Sequence, residues 1–491
     1  MEPLKVFING TWKQSHSNTC LEVLNPANQE CLAQVPVGPE TAKDVSAAVE
    51  AGQNAYLQWK KVPVMKRVQC LYHLKQLLET HKEAIAISIT NECGKTKDES
   101  LGELQRAIEN VEVACGTPML ISGDIIEDIA SGIDEMMIRQ PLGVTAFITP
   151  FNFPAMIVFW FLPYAIATGN ACIVKPSEKA PKTMNLLFEL IQQLDIPDGL
   201  IGLVHGGKES VDALIQHPQI KAVSFVGSTN VARYIYSECG KYGKRVQAQG
   251  GAKNPIIVLP DAELDLTAKI VADSVYGCAG QRCLAASVVI RVGDEKNTVK
   301  EALVETVKSK IVGYGLNEGV SMGPVISKES KQRITGLIQQ GTEEGASVLL
   351  DGRNITVPQY EGGNFIGPTI LENVPVDRSL IKTEIFGPVM SLISMPTIEE
   401  AIAFINSGAY GNMACLFTSN GAHARAFRNE AQAGNIGINI GVAAPMAQFP
   451  FGGWKDSFFG DLHGQGRHAI EFFTQTKVVI ERWPNEWSRK F

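Results

Sequence analysis

The sequence predicts an α/β protein of two doubly wound parallel-sheet lobes with a small additional β flap. Short apolar strands alternate with amphipathic helices between residues 144 and 260, and a second alternation starts near Asn254. Two more strand-like segments, 118–140 and 473–483, fit neither alternation. A chain of 491 residues is too long for one ordinary core, which agrees with two or three domains.

Both alternations can be followed segment by segment. Strands are predicted over 144–150, 171–176, 200–206, 220–228, 254–260, 286–292 and 411–419. Helices are predicted over 156–167, 184–194, 209–216, 263–276 and 298–310. The apolar segment 156–167 is too short to cross a bilayer, and Pro163 predicts a kink in a buried helix.

The lobes are expected to join near residue 250. The predicted domains are a cofactor-binding domain of 1–117 with 141–250, and a catalytic domain of 251–445. Segments 118–140 and 446–491 are assigned to oligomerisation or bridging, with edge strands of the lobes as the alternative for the two extra strands.

Composition narrows the classes of function. A net charge of −7, without a Lys/Arg block, argues against nucleic acid or an anionic membrane as the main partner. The N-terminal residues show no secretory signal. The ten cysteines include no CxxC pair and no cysteine–histidine cluster with zinc spacing. We therefore expect reduced thiols, a cytoplasmic protein and no metal site.

One dinucleotide-like motif is set aside. GQGRHA at 464–469 matches the pattern GxGxxA, but no predicted strand precedes it and no βαβ unit surrounds it. The usual Rossmann glycine signature is therefore missing from a chain whose middle is predicted to be doubly wound.

Cys283 lies in a run of small residues between a predicted helix and a predicted strand. The segment 276–287, YGCAGQRCLAAS, leaves room for a ligand to approach the backbone and the thiol. Backbone N–H groups directed at a thiol lower its pKa and raise its reactivity. A nucleophile with a lowered pKa is one interpretation, and an inert core thiol is the other.

Polar residues follow two strands of the first alternation. Asn152 can donate to a developing oxyanion, although shaping a turn is the commoner role for asparagine. Lys175 closes a strand with Glu178 three residues further on, and ligands of open α/β sheets lie at such strand ends. This pair can hold a ribose or belong to a solvated charged loop.

Two other segments have weaker signals. Gly227 and Ser228 stand between a strand and a helix, where a helix N-terminus attracts phosphate, and an ordinary Ser/Thr N-cap is the alternative. Glu384, in TEIFGPV at 383–389, precedes an aromatic residue and a Gly-Pro turn and indicates little by itself.

In order along the chain stand ITPFNFP, NACIVKPSE, FVGST, GGAKNP, AGQRCLA, EIFGPV and FPFGGWKDSFFGDLH. This ordered set resembles the aldehyde dehydrogenase superfamily over nearly the whole chain. The resemblance implies that Cys283 is the nucleophile and that Asn152, with the Cys283 backbone N–H, forms the oxyanion hole. It also implies an NAD site made of Thr149, Phe151, Lys175, Glu178, Lys179, Gly227, Ser228, Gly250 and Glu384. The Glu178 carboxylate favours NAD over NADP, because it repels a 2′-phosphate.

Gln249 departs from the superfamily pattern, in which hydrolytic members have glutamate. An amide cannot serve as a general base for water, so the acyl enzyme needs another acceptor. The missing glutamate and the stretches FNFPAMI, GQRC, IENVEVACG and GWKDSFFGDLH make the chain resemble the methylmalonate-semialdehyde dehydrogenase subfamily. That resemblance implies coenzyme A (CoA) as the acceptor. Arg106 and Arg282 match that subfamily's carboxylate-binding arginines, and a guanidinium suits a planar carboxylate.

The resemblance implies oxidation of malonate or methylmalonate semialdehyde to acetyl-CoA or propionyl-CoA, with loss of CO2. A hydrolytic NAD(P)-dependent aldehyde dehydrogenase and a non-catalytic family member are the alternatives. Arg282 has alternatives of its own, a salt bridge between the lobes or an effect on the pKa of Cys283. A homo-oligomer, dimer or tetramer, is also implied.

Overall fold

The computed structural model describes residues 2–294 and 296–483. It confirms the predicted fold class: two large, mainly parallel sheets are covered by helices, and a separate three-stranded sheet lies beside them.

The first sheet has eight strands, of which the five central ones are parallel. In spatial order these are Ile201–Leu203, Ala171–Lys175, Val144–Ile148, Ile220–Val226 and Arg245–Gln249. Antiparallel strands complete the edges, Thr11–Lys13 and Val6–Ile8 on one side and Phe458–Gly460 on the other. The order reverses between Val144–Ile148 and Ile220–Val226, and a ligand crevice opens beside such a reversal at the carboxyl ends of the strands.

The second sheet has seven strands. In spatial order these are Ser347–Leu350, Thr369–Glu372, Val389–Met395, Ala286–Val292, Asn254–Val258, Met413–Phe417 and Asn435–Ile438. All pairs are parallel except the one made by Ser347–Leu350 at the edge. Its interior strand Asn254–Val258 is buried over its whole length, as parallel strands covered on both faces are.

The two extra strand-like segments form a sheet of their own. Thr474–Arg482 pairs antiparallel with Ile133–Pro141, which pairs antiparallel with Asp124–Ala130. Within the described residues these strands pair only with one another, so the edge-strand alternative is wrong. Two small pairs complete the β structure: Thr19–Leu24 with Cys31–Val37, and Tyr410–Gly411 with Trp454–Lys455.

Helices cover both large sheets. Those of the N-terminal half are Thr41–Trp59, Val64–Arg67, Gln69–Thr80, Lys82–Cys93, Lys97–Cys115, Thr117–Leu120, Met156–Phe159, Leu162–Thr168, Lys182–Ile191, Lys208–Gln216 and Thr229–Lys241. Those of the C-terminal half are Leu264–Tyr276, Thr298–Lys308, Lys328–Glu343, Ile398–Ser407, Gly421–Glu430 and Gly466–Phe472. Gly277–Gly280 and Leu380–Lys382 are 3-10 turns. None of these helices is long and apolar enough to cross a membrane.

The predicted kinked helix over 156–167 is two short helices, and the break does not fall at Pro163. Met156–Phe159 ends first, and Pro163 lies in the first turn of Leu162–Thr168. A proline is tolerated there because the N–H that it lacks has no helical partner at that position. Gly169, with φ of 104°, ends the second helix in the left-handed conformation.

The predicted bridging segment 446–491 divides among four places. Trp454–Lys455 pairs with Tyr410–Gly411, and Phe458–Gly460 extends the first sheet. Gly466–Phe472 packs against Leu162–Thr168, and Thr474–Arg482 belongs to the three-stranded sheet. Residues 484–491 of this prediction lie outside the described residues. The strand before GQGRHA is antiparallel, which agrees with setting that motif aside.

Candidate active site

Several residues predicted to bind the cofactor lie at the carboxyl edge of the first sheet, beside the reversal of strand order. The Thr149 backbone N–H donates to the Lys175 carbonyl at 3.1 Å, and the Gly227 N–H donates to the Gln249 carbonyl at 3.1 Å. Hydrogen bonds therefore join the ends of neighbouring strands on each side of the reversal. This is the edge at which doubly wound sheets bind their ligands.

Lys175 and Glu178 form a pair at this edge. Lys175 Nζ is buried and lies 3.3 Å from Glu178 Oε2. Burial lowers the pKa of Lys175, and the carboxylate offsets this only in part. Burial acts to raise the pKa of Glu178, but Lys175 and a backbone N–H bring it below its usual value. Glu178 is therefore a carboxylate at neutral pH. Lys179 Nζ lies 5.7 Å from the centroid of the Phe151 ring.

Hydroxyl groups and bare backbone at this edge fit a bound dinucleotide. Thr149 Oγ1 is buried and has no hydrogen-bond partner among the described residues, and a buried polar atom of this kind costs free energy until a ligand satisfies it. Ser228 is the N-cap of Thr229–Lys241, but its side chain makes no capping bond within the described structure. A Cβ at Gly227 would lie 2.4 Å from Phe225 Cζ, so a residue with a side chain does not fit at this position without moving the Phe225 ring.

Gly250 and Glu384 lie where the two lobes meet. A Cβ at Gly250 would lie 2.9 Å from the Asp456 carbonyl oxygen, so a side chain does not fit there. Glu384 Oε1 accepts a hydrogen bond from the Ala252 N–H at 2.8 Å. Burial raises the pKa of Glu384, and this hydrogen bond and two neighbouring cations offset the rise only in part.

The predicted nucleophile follows the 3-10 turn Gly277–Gly280. Cys278, within that turn, has φ of 52°, a conformation that is uncommon for a residue with a side chain. The Cys283 carbonyl accepts from Nδ2 of Asn254 and of Asn412, each at 2.8 Å. Asn254 begins a central strand of the second sheet, so these bonds fix the backbone of Cys283 to that sheet.

The pKa of Cys283 corrects one expectation from the sequence. Burial raises this pKa to about 12, and the Glu384 carboxylate adds to the rise. The backbone N–H groups of Cys283 and Leu284 and the charge of Arg282 act in the opposite direction. The expectation of a lowered pKa is therefore wrong, because desolvation outweighs the backbone N–H groups that the small-residue loop provides.

The raised pKa predicts how Cys283 reacts with an alkylating agent. We expect its rate with iodoacetamide to rise about tenfold per pH unit from pH 7 to 9 without a plateau, because the thiolate fraction grows in that proportion below the pKa. Glu384→Gln removes the charge that adds to the rise and should speed alkylation at each pH. The measurement is the mass-spectrometric rate at the Cys283 peptide. Glu178→Gln is the matched control, and a plateau near pH 7 would contradict the expectation.

Asn152 lies against the thiol loop. Its Nδ2 donates to the Gln281 carbonyl at 2.8 Å, two residues before Cys283. An amide nitrogen has two N–H donors, so one is left for a ligand oxygen. The Asn152 backbone carbonyl accepts from Lys95 Nζ at 2.6 Å. The predicted oxyanion donor is thus held on both its side chain and its backbone.

A cavity of about 350 Å³ brings together the predicted nucleophile and both predicted carboxylate-binding arginines. Cys283, Arg282 and Arg106 all line it, although Arg106 belongs to a helix far away in the chain. Its apolar wall includes Phe153, Met156, Trp160, Leu284, Val442 and Phe451. The carboxylates Glu99, Glu103 and Glu109 also line it, and no sequence motif predicted them there.

The two arginines are held differently. Arg106 Nη1 lies 3.0 Å from Glu109 Oε2 on the same helix. Arg282 Nη2 donates to the backbone carbonyls of Asp273 at 2.6 Å and Ser274 at 3.0 Å. Arg282 Nε is buried and has no hydrogen-bond partner among the described residues. The charge of Arg282 also acts to lower the pKa of Cys283, which is one of the alternatives considered for it.

Gln249 is used as a donor in the structure. It ends the strand Arg245–Gln249, is buried, and donates from Nε2 to the Phe451 carbonyl at 2.7 Å. A carboxylate in its place would put an acceptor against that carbonyl oxygen. The surroundings of Gln249 therefore fit an amide and disfavour the glutamate of hydrolytic relatives.

Sequence reasoning missed Lys95, Glu99 and Glu103. Glu99 forms a capping box with Thr96, and its Oε1 also accepts from the Cys278 N–H at 2.6 Å. The T-x-x-E pattern signals the start of a helix. It does not indicate that the same carboxylate accepts a hydrogen bond from the turn that precedes Cys283.

Two doubly wound lobes that place a cysteine-lined cavity and an amide donor beside a dinucleotide-type sheet edge are the arrangement of a dehydrogenase. The chain belongs to the aldehyde dehydrogenase family, whose family model matches residues 12–479. This confirms the resemblance drawn from the ordered motifs.

Several relatives match along essentially the whole chain. Malonate-semialdehyde dehydrogenase 1 of Geobacillus thermodenitrificans is 45% identical over 483 residues, covering 98% of this chain and 99% of the relative. The crystal structure of methylmalonate-semialdehyde dehydrogenase from Oceanimonas doudoroffii matches with a TM-score of 0.97 at 40% identity, covering all of both chains. A protein from Sinorhizobium meliloti 1021, solved in complex with NAD, matches with a TM-score of 0.97 at 41% identity and 99% coverage of each chain.

Proposed function

We propose that this protein is an NAD-dependent, CoA-acylating dehydrogenase of malonate or methylmalonate semialdehyde. The observation that carries the proposal is the cavity in which Cys283, Arg106 and Arg282 meet. An aldehyde that also has a carboxylate needs a nucleophile and a cation within one small space. The names of the relatives from Geobacillus thermodenitrificans and Oceanimonas doudoroffii, both at 40% identity or more, support this substrate class.

The residues divide the chemistry among them. The Cys283 thiolate attacks the aldehyde carbon, the carbonyl π electrons move onto the oxygen, and the free N–H of Asn152 donates to that oxygen as it becomes negative. NAD, when bound, supplies the hydride acceptor. Thr149, Glu178 and Glu384 are the residues proposed to hold it, and the NAD complex of the Sinorhizobium meliloti protein supports this cofactor. Oxidation leaves the acyl group as a thioester on Cys283.

The remaining steps follow from the substrate and from Gln249. A carboxylate β to a thioester carbonyl is lost readily as CO2, because the carbanion left behind is delocalised as an enolate, which then takes a proton from water. Gln249 has no basic atom with which to activate water, and its amide already donates to the Phe451 carbonyl. The acyl group therefore passes to the thiol of CoA, giving acetyl-CoA from malonate semialdehyde or propionyl-CoA from methylmalonate semialdehyde.

Turnover with malonate semialdehyde should depend on CoA. We expect steady NADH formation to fall at least about tenfold when CoA is left out, with acetyl-CoA as the product when it is present. Gln249→Glu should release some free acid without CoA, although it loses the bond to the Phe451 carbonyl. NADH absorbance and chromatographic identification of the acyl product measure both effects.

Gln249→Met is the matched control for that variant, because it loses the same hydrogen bond without adding a carboxylate. We expect it to show no CoA-independent acid release. Rapid release of free acid by the unmodified protein would instead support the hydrolytic alternative, with another group activating water.

The proposal extends to assembly and location. The three-stranded sheet presents the exposed apolar side chains of Ile125, Ile126, Val478 and Ile480, which suit burial against a second copy in a homo-oligomer. All ten cysteines are free, which supports a reducing compartment such as the cytoplasm.

A further inference from the structure

Lys95 and Glu103 form a buried ion pair beneath the predicted oxyanion donor. Lys95 Nζ lies 2.6 Å from Glu103 Oε2, and the two side chains are 2% and 0% exposed. Taking two charges out of water is expensive, and an apolar pair of similar size often stabilises a fold as well. The position of the pair therefore calls for an explanation other than stability.

The ammonium of Lys95 has three donors, and the structure provides three acceptors. One is Glu103, one is the backbone carbonyl of Asn152 at 2.6 Å, and one is the Phe153 ring, whose centroid is 4.0 Å away. Burial acts to lower the pKa of Lys95, but Glu103 and other neighbours together raise it above its usual value. A charged group thus holds the backbone of Asn152 itself.

Glu103 holds the other end of the same loop. Its second oxygen, Oε1, accepts from the N–H groups of Ala155 at 2.8 Å and Met156 at 3.0 Å. The ion pair therefore makes hydrogen bonds to the backbone of this loop at residues 152, 155 and 156. Because the Asn152 amide also bonds Gln281, its remaining N–H has one fixed direction.

We propose that Lys95 and Glu103 are positioning residues that aim the Asn152 amide at the alkoxide formed on Cys283. This inference rests on the proposed function, since it assumes that Asn152 donates in the reaction. Neither Lys95 nor Glu103 touches the reacting atoms in this scheme. Their effect passes through the backbone of the loop.

The helix Lys97–Cys115 gives this arrangement its rigidity. Glu99, Glu103 and Arg106 follow one another at spacings of four and three residues, so they share one face. Glu99 binds the turn before the nucleophile, Glu103 binds the Asn152 loop, and Arg106 lines the cavity. One helix therefore sets the relative placement of three parts of the site.

The test measures hydride transfer per active site. Lys95→Met should slow the pre-steady-state burst of NADH about tenfold or more, because small errors in donor position reduce catalysis strongly. Its KM for the aldehyde and its rate of Cys283 alkylation should stay near those of the unmodified protein. A merely structural role would lower the burst amplitude and leave its rate constant unchanged.

A double-mutant cycle with Asn152→Ala identifies the route of the effect. On the Asn152→Ala background, Lys95→Met should cause no further slowing, because the group that it positions is gone. Equal slowing on both backgrounds would overturn the inference. If Asn152→Ala leaves the burst unchanged, the proposed role of Asn152 fails instead. If Asn152→Ala slows the burst and Lys95→Met does not, only the positioning role fails.

A control variant distinguishes slower hydride transfer from a loss of stability. Arg291 Nη2 lies 3.1 Å from Glu372 Oε1 in the second sheet, and Arg291→Met breaks this buried ion pair. The variant should reduce stability without slowing the burst. Should Lys95→Met alone fail to fold, because Glu103 is left unpaired, the variant Lys95→Met with Glu103→Gln removes both charges and keeps one acceptor for Ala155 and Met156. A burst rate near that of the unmodified protein in this double variant would equally overturn the inference.

Discussion

Replacing Cys283 with serine is expected to reduce the rate of NADH formation by roughly 10⁴-fold or more, while NAD still binds. A serine hydroxyl ionises far less readily than a thiol, and Gln249 provides no base to activate it. The bonds that fix this residue come from Asn254 and Asn412 to its backbone carbonyl, so serine keeps them. The variant should therefore fold with its cofactor edge unchanged.

NADH absorbance measures the activity of this variant, and calorimetric titration measures its affinity for NAD. Cys278→Ser is the matched control, because Cys278 lines the same cavity and its backbone bond to Glu99 does not involve the thiol. We expect the control to retain activity within a few-fold. Sustained turnover by the Cys283 variant near the normal rate, or equal loss in both variants, would rule out Cys283 as the nucleophile.

The sequence predicted which candidate-site residues lie at strand ends, because that depends on the local strand pattern. Thr149, Lys175 and Gly227 each follow or close an apolar strand, and parallel strands bring such ends to one edge. Nothing in their spacing indicated that the Thr149 hydroxyl would be buried without a partner. Burial of this kind depends on neighbours from other segments.

Contacts between residues that are far apart in the sequence could not be predicted from local sequence patterns. Arg106 and Arg282 were paired only through a resemblance, since no periodicity relates a residue of an N-terminal helix to one beside Cys283. The charged helix Lys97–Cys115 has the composition of a solvated helix, yet Glu103 on it is buried. Its partner Lys95 lies before the helix, so helical periodicity does not connect the two.

The pKa of Cys283 also depends on residues that are distant in the sequence. The small residues around it do expose backbone N–H groups, and these do act to lower its pKa. The larger effect is desolvation, and the second is the Glu384 carboxylate, which is distant in the chain. The sequence shows the local contribution, whereas the sign of the total depends on the tertiary structure.

Replacing Arg106 with leucine is expected to reduce kcat/KM for malonate and methylmalonate semialdehydes by about ten- to more than a hundredfold, and to spare propionaldehyde. A charge-assisted hydrogen bond is worth roughly 1.5–3 kcal/mol, which corresponds to that range. Propionaldehyde has no carboxylate to bind, so it loses nothing. Steady-state kinetics on both kinds of aldehyde measure the selectivity.

Arg282→Leu should give a mixed result, because Arg282 does more than line the cavity. It donates to the carbonyls of Asp273 and Ser274, and its charge opposes the rise in the pKa of Cys283. We expect the same loss for the carboxylate-bearing aldehydes, a smaller loss for propionaldehyde, and slower alkylation of the thiol. Equal losses for both kinds of aldehyde would mean that Arg282 acts only through the thiol or the fold.

The variant Glu109→Gln tests whether Arg106 binds the substrate carboxylate directly or only adds positive charge near the cavity. Glu109 lies 3.0 Å from Arg106 Nη1, so under the proposed function it would compete with a substrate carboxylate for the same guanidinium. Removing this competitor should lower KM for malonate semialdehyde and leave propionaldehyde unchanged, the opposite of the Arg106→Leu result. If Glu109→Gln raises KM instead, then Glu109 holds Arg106 in place for the substrate, and the guanidinium still serves as the anchor. If neither variant distinguishes the two aldehydes, Arg106 does not bind the carboxylate, because a group that bound it would make the two substrates respond differently.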